Sequence, residues 1–169
     1  MRSVGLIGRV AVVVRWETGR VDGLYLVLRS FADMTLDRAR AVGRAFDGHS
    51  LLRPVKVGGD PARIGVGSSM EALIAKQGLP VDWLTVRRNG KWPDFESGEV
   101  QLLPGRGSWT GIQKNGEWEY LLAGHKVEQY WLATTLTETG AVAAAASLFE
   151  DLAVAMDAAY GYLGGVRRS

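Results

Sequence analysis

The chain has 169 residues, of which 47% are hydrophobic and 22% charged, with a formal net charge of +2 and no cysteine. That length and composition exclude a disordered chain and predict one globular domain over 1–169, with residues 1–8 and 166–169 peripheral. The absence of cysteine excludes disulfides, thiolate catalysis and cysteine-ligated metals.

Charge is spread unevenly. Residues 1–63 hold 11 Lys/Arg against 6 Asp/Glu, 64–135 hold 7 against 8, and 136–169 hold 2 against 4. Nowhere do more than two cations adjoin, which disfavours a nucleic-acid partner, because phosphate recognition uses a concentrated basic face. Arg9 interrupts the N-terminal apolar run and Arg15 ends it with no small-residue cleavage pattern, so no signal peptide is expected. The alanine-rich segment near the C-terminus carries Glu150, Asp151 and Asp157, which argues against a membrane span. The expected location is the cytoplasm.

In chain order, Arg9 to Trp16 and Gly23 to Arg29 read as strands, and the ETGRVD connector makes them antiparallel neighbours. TLDRARAVGRAF predicts a helix capped by Thr35, with Leu36, Ala39, Val42 and Phe46 on its apolar stripe and Asp47-Gly48 at its end. LLRPVKV predicts an edge strand, because Pro54 lacks a ladder donor. Ser68 and Glu71 form a capping-box pattern that starts a short helix ending at Gly78. The glycines before them could offer amides to an anion, but no Gly-Lys-Ser/Thr follows, so a phosphate loop is not expected.

From Val81 to Leu136 the chain is strand-like and rich in tryptophan, except for KWPDFESGEVQLLPGRG, whose prolines and glycines predict an extended functional loop or a plain long connection. Thr139 to Leu163 predicts one long helix, with Val142, Ala145, Phe149, Leu152, Met156, Tyr160 and Leu163 in a stripe and Gly164-Gly165 as the stop. The expected class is α+β: an antiparallel sheet packed against a long C-terminal helix and one or two shorter helices.

RRNGKWPDF (Arg87–Phe95) and QKNGEWEYL (Gln113–Leu121) share an Asn-Gly turn followed by a tryptophan. Asn-Gly favours a two-residue type I′ hairpin. For the second copy this pairs Lys114 with Glu117, Gln113 with Trp118, Gly111 with Tyr120 and Trp109 with Leu122, placing Trp109, Trp118, Tyr120 and Leu122 on one face. In the first copy Pro93 blocks regular pairing and diverts the chain into an acidic excursion.

That excursion supplies the expected partner contacts: Trp92 and Phe95 for aromatic burial, Asp94, Glu96 and Glu99 for charge, with Arg106 nearby. The same carboxylates suggest a divalent-ion site, but an acidic loop is the simpler account, so no metal or cofactor is expected. The alternative is a small hydrolase or nucleic-acid-processing enzyme using His125 as general base with Glu128 beside it.

Taken whole, a small α+β chain with a tryptophan-rich region around GKWPDF and GEWEYLL and a terminal helix ending DAAYGYL resembles an immunity protein of a bacterial polymorphic-toxin or contact-dependent secretion system. That resemblance implies a stoichiometric inhibitor of a cognate protein toxin, with no reaction of its own. Self-association is left open by the sequence.

Overall fold

The computed structural model describes residues 2–7, 10–15, 22–59, 63–88 and 95–166, of which 2–7, 10–15, 108–112 and 118–123 are described as backbone only. In chain order the elements are β1 (Arg2–Ile7), β2 (Val10–Arg15), β3 (Gly23–Ser30), α1 (Leu36–Asp47), β4 (Lys56–Gly58), β5 (Ile64–Gly65) and α2 (Met70–Gln77). They continue with β6 (Val81–Arg88), β7 (Glu96–Leu102), β8 (Ser108–Lys114), β9 (Glu117–Ala123), β10 (His125–Leu132), α3 (Ala133–Leu136), α4 (Ala141–Met156) and β11 (Tyr160–Val166).

The protein is α+β. Nine strands form one sheet in the order β1-β2-β11-β3-β10-β7-β6-β4-β5, and β8 and β9 form a separate two-stranded ribbon. Every pairing in the large sheet is antiparallel except β11 with β2. The strands over 10–15 and 23–30 are therefore not neighbours, contrary to the hairpin expected from ETGRVD. β11 enters between them, antiparallel to β3 and parallel to β2.

That arrangement also corrects the long C-terminal helix. The helix stops at Met156, where Asp157 adopts φ 49° and its N–H reaches the carbonyls of Ala153 and Val154. Ser30 on β3 finishes the stop: its hydroxyl donates to Met156 O at 2.6 Å and contacts Asp157 O at 3.2 Å. Tyr160 and Leu163, which continue the apolar stripe at helical spacing, belong instead to β11. Apolar spacing fits either period over so short a run, and a long-range cap from β3 decides it.

The helices cover one face of the sheet. Along β3, Leu24, Leu26, Leu28 and Ser30 are buried while the residues between them are half-buried. They meet Phe149, Leu152 and Met156 of α4 in a core shared with Ala39, Val42 and Phe46 of α1. Each such side chain contributes about 1.5–3 kcal/mol on leaving water. Gly161 makes the fit of α4 on β11 close: a Cβ there would stand 2.4 Å from Leu28 Cδ2 and 2.9 Å from the Phe149 ring.

α1 is capped by Thr35 as expected, the hydroxyl accepting from Arg38 N. The cap of α2 is Ser69 rather than Ser68, and its hydroxyl accepts from Ala72 N at 3.0 Å. Asp47 takes the remaining first-turn donors, accepting from Met70 N at 2.6 Å and Glu71 N at 3.1 Å. The first-turn amides of α2 thus hold an internal carboxylate. Pro54 lies in the turn before β4, and β4 is flanked on both sides, by β6 and β5, so it is not an edge.

The β8–β9 ribbon follows its sequence. Lys114 pairs with Glu117, Gln113 with Trp118, Gly111 with Tyr120 and Trp109 with Leu122. Asn115 and Gly116 take φ 52° and 80°, as a type I′ turn demands. The facial grouping of Trp109, Trp118, Tyr120 and Leu122 lies outside the described side chains.

Candidate functional site

The expected extended loop is replaced by structure. KWPDFESGEVQLLPGRG contains β7, a central strand paired to β10 on one side and β6 on the other. Its glycine is part of the reason: a Cβ at Gly98 would stand 2.0 Å from the carbonyl oxygen of Glu128, so the strands approach where no side chain intervenes. A central strand alternates its side chains, which separates residues that sequence proximity had grouped.

Glu96 points into the core and is fully buried. Its Oε1 accepts from Thr135 Oγ1 at 2.6 Å and Arg87 Nη1 at 3.2 Å, and lies 3.3 Å from Arg88 Nε. Arg87 Nε also donates to Leu51 O at 2.7 Å. This cluster, with the 3.1 Å bond from Trp131 Nε1 to Leu52 O, ties the turn before β4 onto the sheet. Glu99, an odd number of residues along β7, faces the other way, so Glu96 and Glu99 belong to no common patch or cation site. Phe95 is half-buried and Arg106 exposed, while Trp92 and Asp94 lie outside the described residues.

The same alternation dissolves the alternative catalytic pair. β10 buries His125, Val127, Gln129 and Trp131 and turns Lys126, Glu128, Tyr130 and Leu132 to the opposite face. His125 and Glu128 therefore cannot meet. His125 is fully buried with both ring nitrogens occupied: Nδ1 accepts from Leu103 N at 3.1 Å, and Nε2 lies 2.8 Å from Ala32 O and 3.1 Å from Gly105 O. The Leu103 amide can only donate, which fixes the proton on Nε2. The imidazole is a clamp joining two loops and has no free nitrogen to act as a base.

What the structure does bring together is the second face of the sheet. The register aligns Tyr160, Arg29, Lys126, Gln101 and Asp82 in one row across β11, β3, β10, β7 and β6. The adjacent row holds Tyr162, Val27, Glu128, Glu99 and Leu84, and the next holds Tyr25 beside Tyr130. Gly164 lets Tyr162 lie along the sheet, since a Cβ there would stand 2.3 Å from the tyrosine hydroxyl.

Glu128 and Glu99 are direct cross-strand partners, an unfavourable pair by themselves. Lys126 compensates both, at 2.7 Å from Glu99 Oε2 and 3.8 Å from Glu128 Oε1, and Arg29 adds a contact of 3.9 Å to Glu128. The Lys126 side chain is only 14% exposed and that of Glu99 28%, so these charges are partly withdrawn from water against the sheet. Tyr25 joins them. Its hydroxyl pKa is raised to about 12, first by burial, then by the charge of Glu128 and a hydrogen bond to it.

The described side chains of these rows include Arg29 and Lys126 with Asp82, Glu99 and Glu128, and the register sets Arg15 and Arg2 in line with Gly164 and Tyr25. No helix of the described residues is long and apolar enough to cross a membrane. No protein-family model, curated protein or solved structure matches the chain, so its assignment rests on the chemistry of this surface.

Glu99 and Glu128 are marked by sequence for different roles, and the register makes them neighbours. Tyr25, Arg29, Lys126, Tyr160 and Tyr162 are missed by sequence reasoning. The findable signal is period-two alternation in β3 and β10; the partner strands are set by long-range register.

Proposed function

We propose that this protein is a non-enzymatic, protein-binding inhibitor of the immunity type, acting in the cytoplasm by stoichiometric capture of a cognate toxin on the open face of its sheet. The observation that carries the reading is a face combining tyrosines and Leu84 with a preformed Lys126–Glu99–Glu128–Arg29 lattice. Tyrosine supplies large contact area at low entropic cost, and fixed charges give orientation and partner selectivity. Because the lattice is already ordered and partly withdrawn from water, a partner meets charges that need little rearrangement.

The contact set accordingly shifts from the acidic excursion to the sheet. Glu99 remains, Glu96 becomes part of the scaffold, Phe95 precedes β7 and Arg106 lies in the connection from β7 to β8. The test is affinity capture from the native cell, followed by titration of any co-purifying toxic activity. Inhibition saturating at one equivalent, and weakened roughly tenfold or more by Leu84→Lys with Tyr160→Ala, is expected if these residues are central contacts. Turnover of a substrate by the isolated protein without a partner would overturn the proposal.

A further inference from the structure

A second surface lies at the β5 edge of the sheet, two strands beyond Leu84 of β6. Val55 and Ile64 are 55% and 54% exposed, high values for large apolar side chains. They lie close together because Val66 N donates to Val55 O at 2.8 Å and Ile64 pairs with Val57. Around them Lys56, Arg63 and Lys76 are exposed and make no ion pair among the described residues. Among the described residues the neighbouring carboxylates are committed elsewhere: Glu71 to Arg40 and Arg44, and Asp47 to the first turn of α2 and Arg53.

The backbone adds direction. The Val66-to-Val55 bond flanks the Lys56–Gly65 pair, which makes that pair a non-hydrogen-bonded one in the antiparallel pattern. The amide and carbonyl of Gly65 therefore point away from β4, outward from the sheet. Gly65 is exposed, and a Cβ there would meet nothing within 4 Å, so another strand can approach. Beyond β5 the surface dips into a shallow hollow of about 370 Å³ bordered by Val66, Ser68, Ser69, Leu73 and Lys76.

We infer that this edge binds an extended, acidic segment of a partner protein by strand addition at Gly65, with apolar residues over Val55, Ile64 and the hollow and carboxylates on Lys56, Arg63 and Lys76. Main-chain pairing gives such a mode its affinity and the flanking side chains its selectivity. A second copy of this chain does not fit, because self-pairing would set Lys56 and Arg63 against the same cations. The inference is independent of the toxin reading.

The test uses the full chain and short capped synthetic peptides: one alternating glutamate and valine, one alternating lysine and valine, and the glutamate–valine peptide N-methylated at alternate amides in each of the two registers. Amide chemical-shift changes centred on Ile64, Gly65, Val66 and Lys76 are expected with the first peptide and with one of its two N-methylated registers, and not with the lysine peptide. Binding should weaken roughly tenfold or more in the exposed triple variant Lys56→Glu, Arg63→Glu, Lys76→Glu, whose fold is checked by circular dichroism, and should fade with added salt. Equal binding of the lysine peptide, equal binding of both N-methylated registers, or no shifts at this edge would each overturn the inference.

Discussion

The two faces of β10 and β7 use the same kinds of residue for opposite ends. On the core face, Glu96, His125 and Gln129 are buried and bond to the protein: Glu96 through Oε1 to Thr135 and Arg87, His125 to Leu103 and Ala32, Gln129 to Thr85. On the open face, Lys126, Glu99 and Glu128 satisfy one another while staying within reach of solvent. Polar chemistry in these strands is thus informative only with its side of the sheet. The buried His125 and the half-exposed Glu128, three residues apart, fall on opposite faces, the one clamping two loops and the other ion-paired to Lys126.

The sharpest way to break that contrast is to delete a carboxylate from each side of β7. Glu96→Ala leaves Arg87 buried without its partner and should cost about 3–5 kcal/mol in chemical denaturation. Glu99→Ala, on the same strand, should cost about 1 kcal/mol or less, because its ion pair is partly solvated. Equal losses would mean that the two faces are energetically alike.

Effects of intermediate size are expected where loops and helices meet the sheet. His125→Ala should cost about 1–3 kcal/mol by stranding the Leu103 amide and the Ala32 carbonyl. Amide exchange at Leu103 should quicken in the same variant, which separates a clamp from a catalytic base. Gly161→Ala should cost about 1–3 kcal/mol, read as a lowered melting temperature, because the added methyl enters the Leu28 and Phe149 contact.

The smallest effect sharpens the open face. Tyr25 should ionise near pH 12 in an ultraviolet titration, and Glu128→Gln should lower that value by removing a negative neighbour. The sign follows from the raised pKa: the folded state holds the phenolic proton more tightly than the unfolded state. Its contribution is fully present below about pH 10, the ordinary tyrosine value, and is lost as pH rises through about 12. A wild-type Tyr25 titrating near 10 would remove it from the charge lattice.

Local chemistry was legible wherever the deciding contacts were local. The Thr35 cap, the Gly78 stop, the Asn115-Gly116 turn and its register all follow from residues a few positions apart. Trp83 and Trp131 fall in the core, as their place in strands suggests. What failed was decided at a distance. Ser30 ends α4 from more than a hundred residues away, and β11 returns to separate two strands that are consecutive in the chain. Glycine and proline in the 91–107 stretch suggested a loop, yet Gly98 is where a neighbouring strand comes close. Once β7 becomes a strand, parity alone sends Glu96 inward and Glu99 outward, and the expected acidic patch divides.

The central claim is that the open face, rather than the β5 edge, receives the inhibited toxin. The direct measurement is the affinity of the captured toxin for three forms of the protein: wild type, the face variant Leu84→Lys with Tyr160→Ala, and the edge variant Lys56→Glu, Arg63→Glu, Lys76→Glu. The account predicts a loss of roughly tenfold or more for the face variant and little change for the edge variant. Unchanged binding by a folded face variant, with loss confined to the edge variant, would contradict it.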